Sequence, residues 1–234
     1  MRKINKSEPP KFTEFKQTNH KNNWKYFHKK KYTVLRNNCK KHILDDEQGK
    51  LSAYTEMPIK QFERLKNVVH FDHFIKREFD KLATDDANKK CFDWNNLFVD
   101  IHEHGEGKTF IEGHDEYLDF GADHKDKFIH TLTDNQKLIN PAMEDPHHFF
   151  TYLCNGKIEI NENLSEEEKE RAILTRDAFN LNDGILTKKR EDLLNEIRKQ
   201  DSTLPPEKVL ECVLGYGFTS FAEFMLDRIH LYKG

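Results

Sequence analysis

The chain has 234 residues and 27.9 kDa, 36% hydrophobic and 34% charged, enough to bury a sizeable core in one large domain or a domain with a helical extension. A mean hydropathy of −0.89 with no long apolar run argues against a membrane span, and the cationic start has no apolar stretch behind it, so no signal peptide is expected. Four widely spaced cysteines (Cys39, Cys91, Cys154, Cys212) form no Cys-x-x-Cys, which speaks against a disulfide framework or a cysteine zinc site and predicts a cytoplasmic protein.

The formal net charge of −3 hides an asymmetry. Residues 1–44 carry 13 Lys or Arg against Glu8 and Glu14, leaving the rest of the chain at −14. Within that basic arm, Trp24, Tyr26, Phe27 and Tyr32 interleave with Lys25 and Lys29 to Lys31. Such a segment can contact phosphates and stack on bases, or it can be a solvated helix that docks its aromatics on the core. It can equally dock a partner or its own domain.

In chain order, residues 1–22 are polar, with Pro9-Pro10 read as a helix breaker. Residues 23–44 read as a helix burying Trp24, Phe27, Leu35 and Leu44. A helical turn is expected over 62–66. The β-branched and aromatic stretch 67–74 predicts a strand ending near His73, and 92–101 turns at Asn95-Asn96 and then runs apolar. A short helix is expected over 123–132. Residues 152–160 predict a hairpin turning at Asn155-Gly156. Ser165 and Glu168 form a capping box for a helix over 166–178. Helices follow over 184–200, after Ser202 or Thr203 with Pro205 in its first turn, and over 218–231. The expected class is α+β, organised as a basic arm and helix (1–44), a core (45–140) and a hairpin with helices (141–234).

Thirteen histidines are many for this length, and their grouping is informative. His70 and His73 flank Asp72 at a predicted strand end, Asn95-Asn96 follow, and His102, His104, His114 and His124 come later. Phosphodiester hydrolysis needs a base near neutral pKa and an electrophile for the developing charge. Histidine supplies the first, and a divalent ion held by carboxylate and imidazole supplies the second. Asp-His, then Asn, then His is such a set in order. Each member alone is as well explained as an ordinary structural residue.

Several segments together raise the weight of that set. MRKINKSEPP at the start, LRNN (35–38), DDEQGKLSAYTE (45–56), HFDHFIK (70–76), DWNNLFV (93–99), LINPAMEDPHHFF (138–150), NGKI (155–158), RAILT (171–175) and FNLN (179–182) occur in this order. The sequence thereby resembles an HNH-endonuclease family of bacterial anti-phage systems, the PtuB-like nucleases of Septu and retron-associated loci. The resemblance implies a ββα-metal (HNH) core embedded in a mostly helical protein. It implies His73 as general base, Asn96 in a positioning role, and Asp72 with His124 (in ADHKD, 122–126) as ligands of Mg²⁺, or of Mn²⁺ or Zn²⁺. His102 and His104 compete with His124. Lys76, Arg77, Lys108 and Lys125 are candidates for phosphate contacts.

The family's structural zinc cysteines are replaced by Ser52 and Thr55, and by Ile101 and Ala122, so packing is expected to hold these loops. The resemblance further implies a PtuA-like ATPase partner, and a retron reverse transcriptase with its DNA product. The same site suits DNA or RNA, for example a tRNA. A catalytically degenerate binding or assembly subunit is the remaining alternative.

Overall fold

The computed structural model describes residues 1–19, 24–59, 69–79, 90–101, 119–201 and 204–231. The class is α+β: helices predominate, and the strands form two separate antiparallel pairs. The expected helical turn at 62–66 and the Ser202/Thr203 cap lie outside the described residues.

The first helix, α1 (Pro10–Asn19), corrects an expectation, because it begins at the Pro9-Pro10 pair read as a breaker. Proline is compatible with the first helical position, where its missing N–H would have no partner, and the Pro9 carbonyl accepts from Phe12 (2.9 Å) and Thr13 (3.1 Å). The helix predicted over 23–44 is instead broken into α2 (Trp24–Phe27), a 3₁₀ turn (Lys30–Tyr32) and α3 (Thr33–His42), followed by a π-turn (Ile43–Glu47). Phe12, Phe15, Trp24 and Phe27 join Phe92 and Trp94 in a buried aromatic cluster, with centroids 4.8 Å apart for Phe15–Phe27 and 5.0 Å for Phe12–Trp94. The basic arm thus contributes its rings to the core of the molecule.

Strand β1 (Val69–His73) pairs with β2 (Leu97–Ile101), with Asp72 opposite Phe98 and His73 opposite Leu97. All of β2 is buried, so both of its faces are covered. Side chains alternate along a strand. Phe71 and His73 therefore meet the aromatic cluster, while Asp72 shares its face with Phe98 and meets Tyr54. Helix α4 (Gly121–Phe128) packs on β2, and α5 (Leu132–Lys137) follows. Asp100 on β2 accepts from the Ala122 amide at 3.0 Å and caps the start of α4.

Gln48 extends the strand pair. Its side-chain oxygen accepts from the Val99 amide at 2.8 Å, and its nitrogen donates to the Val99 carbonyl at 2.7 Å. Next to it, buried Glu47 accepts from the Trp94 indole (2.7 Å), the Ser7 amide (2.7 Å) and Lys6 (2.5 Å). Together they tie the Asp45–Glu56 segment and the chain start to the same sheet.

The second half follows the sequence expectations closely. Strands β3 (Phe150–Tyr152) and β4 (Ile158–Ile160) form the hairpin around Asn155-Gly156. Gly156 has φ +77°, and a Cβ there would lie 2.1 Å from the Thr187 carbonyl oxygen, so only glycine lets the turn lie this close to the following helix. Helix α6 (Glu166–Ala178) has the capping box at Ser165 and Glu168. Helices α7 (Gly184–Asp201), α8 (Pro206–Val213) and α9 (Thr219–Leu231) complete the fold. Pro205 sits at the N-cap of α8, just before the first turn in which it was expected.

Glu56 joins the two halves, with its carboxylate receiving the Met1 ammonium at 2.7 Å and the Ser220 amide of α9 at 2.9 Å. Burial works to raise this carboxyl, but the ammonium and the Ser220 donors outweigh it and bring the pKa down to about 2. A single hydrophobic cluster runs from Met1 to Leu226. No helix among the described residues is long and apolar enough to cross a membrane.

Candidate functional site

The end of β1 carries the two residues singled out as an acid–base pair, and the pleat sends them to opposite faces of the strand. His73 is 6% exposed and lies perpendicular to the Trp24 indole, with centroids 4.5 Å apart. Its Nε2 is 3.1 Å from the Cys91 carbonyl, an acceptor, so Nε2 carries the hydrogen and Nδ1 the lone pair. Burial first, and then the Arg77 charge, push the imidazole pKa down to about 3. At neutral pH the ring is uncharged, and it is a weaker base than the near-neutral one that phosphodiester hydrolysis calls for.

Asp72 faces inward. Its Oδ2 accepts from the Tyr54 hydroxyl and from the Lys125 ammonium, the latter at 2.8 Å. Lys125 is fully buried on α4 and also donates to the His73 carbonyl (2.9 Å) and the Phe74 carbonyl (3.5 Å), with Asp126 at 3.4 Å. Burial alone would lower the Lys125 pKa, but Asp72 and Asp126 more than offset it and raise it. The Tyr54 hydroxyl is pushed up by burial and then by the Asp72 charge. Carboxylate, phenol and ammonium thus form one compact interior group that ties β1 to α4.

Asn96 acts on the backbone just past His73. Its Oδ1 accepts from the Ile75 amide at 2.7 Å, and its Nδ2 donates to the carbonyls of Ile75 (3.3 Å) and Lys90 (3.1 Å). The side chain therefore holds together the stretch after His73 and the segment that supplies the Cys91 carbonyl. It touches backbone and does not bond the imidazole itself.

The remaining sequence-selected residues divide by exposure. Lys76 is nearly buried, and its ammonium donates to the carbonyls of Asp126 (2.7 Å) and Ile129 (2.8 Å) at the end of α4, so it closes that helix. Lys125 is enclosed completely. The ammonium groups expected at phosphate are engaged within the protein here, Lys76 also with Glu78 at 2.8 Å. Arg77 is exposed. His124 does not reach Asp72: its Nδ1 donates to the Ala178 carbonyl of α6 at 2.9 Å, and its ring stacks on Phe128. Neighbouring helix positions point about 100° apart, so α4 turns Lys125 to Asp72 and His124 away from it. His102, His104 and Lys108 lie outside the described residues.

Asp72 and His124 as placed do not fit a divalent ion, since the carboxylate is countered by a lysine and the imidazole serves another helix. Among the described residues, no three His, Cys, Asp or Glu side chains converge as a ligand set. Ser52 and Thr55, standing at the expected cysteine positions, are buried and bonded to each other at 2.8 Å. A Cβ on Gly121 would lie 3.7 Å from the Thr55 methyl, which puts that turn against the start of α4.

Sequence reasoning missed Tyr54, Asp100 and Asn135. Asn135 is buried, accepts from the Lys76 amide at 3.0 Å and donates to the Phe74 carbonyl at 2.8 Å. Tyr54 lies inside the segment DDEQGKLSAYTE, so its position was flagged although its role was not. Asp100 and Asn135 carry no signal in the sequence, because their partners are set by tertiary packing. The chain matches no protein-family model, and no curated protein matches it.

Proposed function

We propose that this chain is an endonuclease of the ββα (HNH) type, hydrolysing nucleic-acid phosphodiesters as the effector of an anti-phage system, as its resemblance to PtuB-like nucleases implies. The observation that carries the reading is the hairpin–helix unit itself. An Asp-His pair ends β1, an asparagine braces the backbone behind the histidine, and a helix packs against the second strand. The 52–55 turn lies against the start of that helix, near the other two positions where the resemblance places zinc ligands, which also supports the reading.

In the proposed reaction, Nδ1 of His73 takes a proton from water. The water oxygen bonds to phosphorus, the P–O3′ bond breaks, and the leaving oxygen is protonated from solvent. Asn96 positions His73 through the backbone. The resemblance includes a divalent ion, Mg²⁺ first. Asp72 and His124 do not fit it, so no step is assigned to them through a metal. Partnership with a PtuA-like ATPase, and with a retron reverse transcriptase and its DNA, belongs to the same proposal.

The test is cleavage of duplex DNA, single-stranded DNA and total RNA, in Mg²⁺ or EDTA, with and without a co-expressed ATPase. Cutting by the native chain that disappears in His73→Ala carries the proposal and identifies the polymer, DNA or RNA. Equal cutting by the variant removes His73 as the base. A second reading, a binding or assembly subunit without catalysis, is favoured by the Lys125–Asp72 pair, which already neutralises the carboxylate. Absence of cutting in every arm, together with no divalent-ion binding by calorimetry, would select it.

A further inference from the structure

Residues 15–44 contain nine Lys or Arg and no Asp or Glu. The fold sorts this segment by type. Trp24 and Phe27 go into the core, while Lys25, Lys29, Lys30 and Lys31 are exposed. None of these four meets a carboxylate among the described residues, although the rest of the chain is strongly acidic. The basic face is therefore not spent on docking to its own domain. Two tyrosines lie among the ammoniums: Lys29 Nζ is 4.1 Å from the Tyr26 ring centroid, and Lys31 Nζ is 5.3 Å from Tyr26 and 4.8 Å from Tyr32. Arg36 is held nearby by the Phe27 carbonyl at 2.9 Å.

This face adjoins the candidate base. Trp24, immediately before Lys25, packs against both His73 and Phe71, at 4.5 Å and 5.4 Å. Uncompensated cations with aromatic rings among them suit a polyphosphate strand, whose charge they neutralise while the rings accept stacked bases.

We infer that the exposed face of residues 25–36 is a docking surface for the phosphodiester backbone of nucleic acid, held by charge and stacking without base-specific readout. This rests on the nucleic-acid reading above and names the surface that would deliver the polymer to His73. An acidic protein is the competing occupant. It is less favoured because tyrosine rings interleaved with ammoniums match a strand of stacked bases.

The experiment measures binding and cutting separately. Anisotropy of labelled duplex DNA and single-stranded RNA is followed against salt in EDTA with the full chain, and with the Lys25→Gln, Lys29→Gln, Lys30→Gln, Lys31→Gln combination. The four side chains are exposed, so thermal unfolding should be unchanged. Binding should weaken at least about tenfold at low salt, and the slope of log K against log salt should flatten by about three. Equal affinity and slope in the variant would overturn the surface. Binding without cutting would leave the surface standing and remove the nuclease. Cutting with unchanged KM in the variant would keep the nuclease and remove the surface.

Discussion

Both strand pairs carry a side-chain clamp on the backbone, Gln48 on Val99 and Asn182 on Ile158, but β1 adds a buried ion pair to it. Between β3 and β4 the buried side chains are Phe150, Tyr152 and Ile158, and residues 153–157 join the strands directly. Between β1 and β2 the connection runs over residues 74–96, and the contacts that secure it are polar and buried: Asp72 with Lys125 and Tyr54, Asn96 with Ile75 and Lys90, Gln48 with Val99. A buried polar group must be matched in place, so its partners are over-determined. Buried Arg190 fixes the β3–β4 turn in the same way, through the Gly156 carbonyl at 3.0 Å, so the two pairs differ by the ion pair at the candidate site and not by polar fixing as such.

The largest expected effect would come from breaking the interior pair. Lys125→Met leaves Asp72 buried beside an uncharged partner and should cost about 3–5 kcal/mol in urea unfolding, with Asp72→Asn similar. The double variant should recover much of that loss, and strictly additive losses would show that the two groups are not coupled. On the other hairpin, Gly156→Ala should cost about 2–3 kcal/mol, because it combines a left-handed φ with a contact on the Thr187 carbonyl. If Gly156→Ala proved as harmless as a surface change, the turn would have moved off α7.

Acid sharpens the contrast further. His73 titrates at about 3 when folded and at its ordinary 6.5 when unfolded. The unfolded chain therefore binds the extra proton, and the stability contributed by the neutral ring is complete above 6.5 and falls as pH drops toward 3. By pH 5 the loss should reach about 2 kcal/mol, at about 1.4 kcal/mol per unit. Glu56, at about 2 against an ordinary 4.5, acts in a lower window with the same sign. Unfolding of His73→Gln should lack the slope between 6.5 and 5, and an unchanged slope would assign it elsewhere. The smallest effect is expected in α6, where Ser165→Ala removes the cap and should cost about 1 kcal/mol, read as a shift of the urea midpoint.

What the sequence made legible follows the same division. The capping box placed α6 to the residue, and Asn155-Gly156 placed the β3–β4 turn, because both are written in consecutive residues. The end of β1 at His73 was legible from its β-branched and aromatic run. Strand alternation already implied that Asp72 and His73 face apart. Lys125 was not legible as an interior residue, since lysine is a surface residue by default and its partner Asp72 is 53 positions away. His124 and Lys125 differ by one position on α4, and only the packing of that helix decides which of them meets the carboxylate. Helix α1 was obscured because proline stops a helix in its interior and starts one at its first position.

The counter-ion of Asp72 is part of the polypeptide. The charge that balances this carboxylate is therefore supplied by the fold itself, at a fixed distance and in a fixed ratio, and withdrawing small ions from the medium does not remove it.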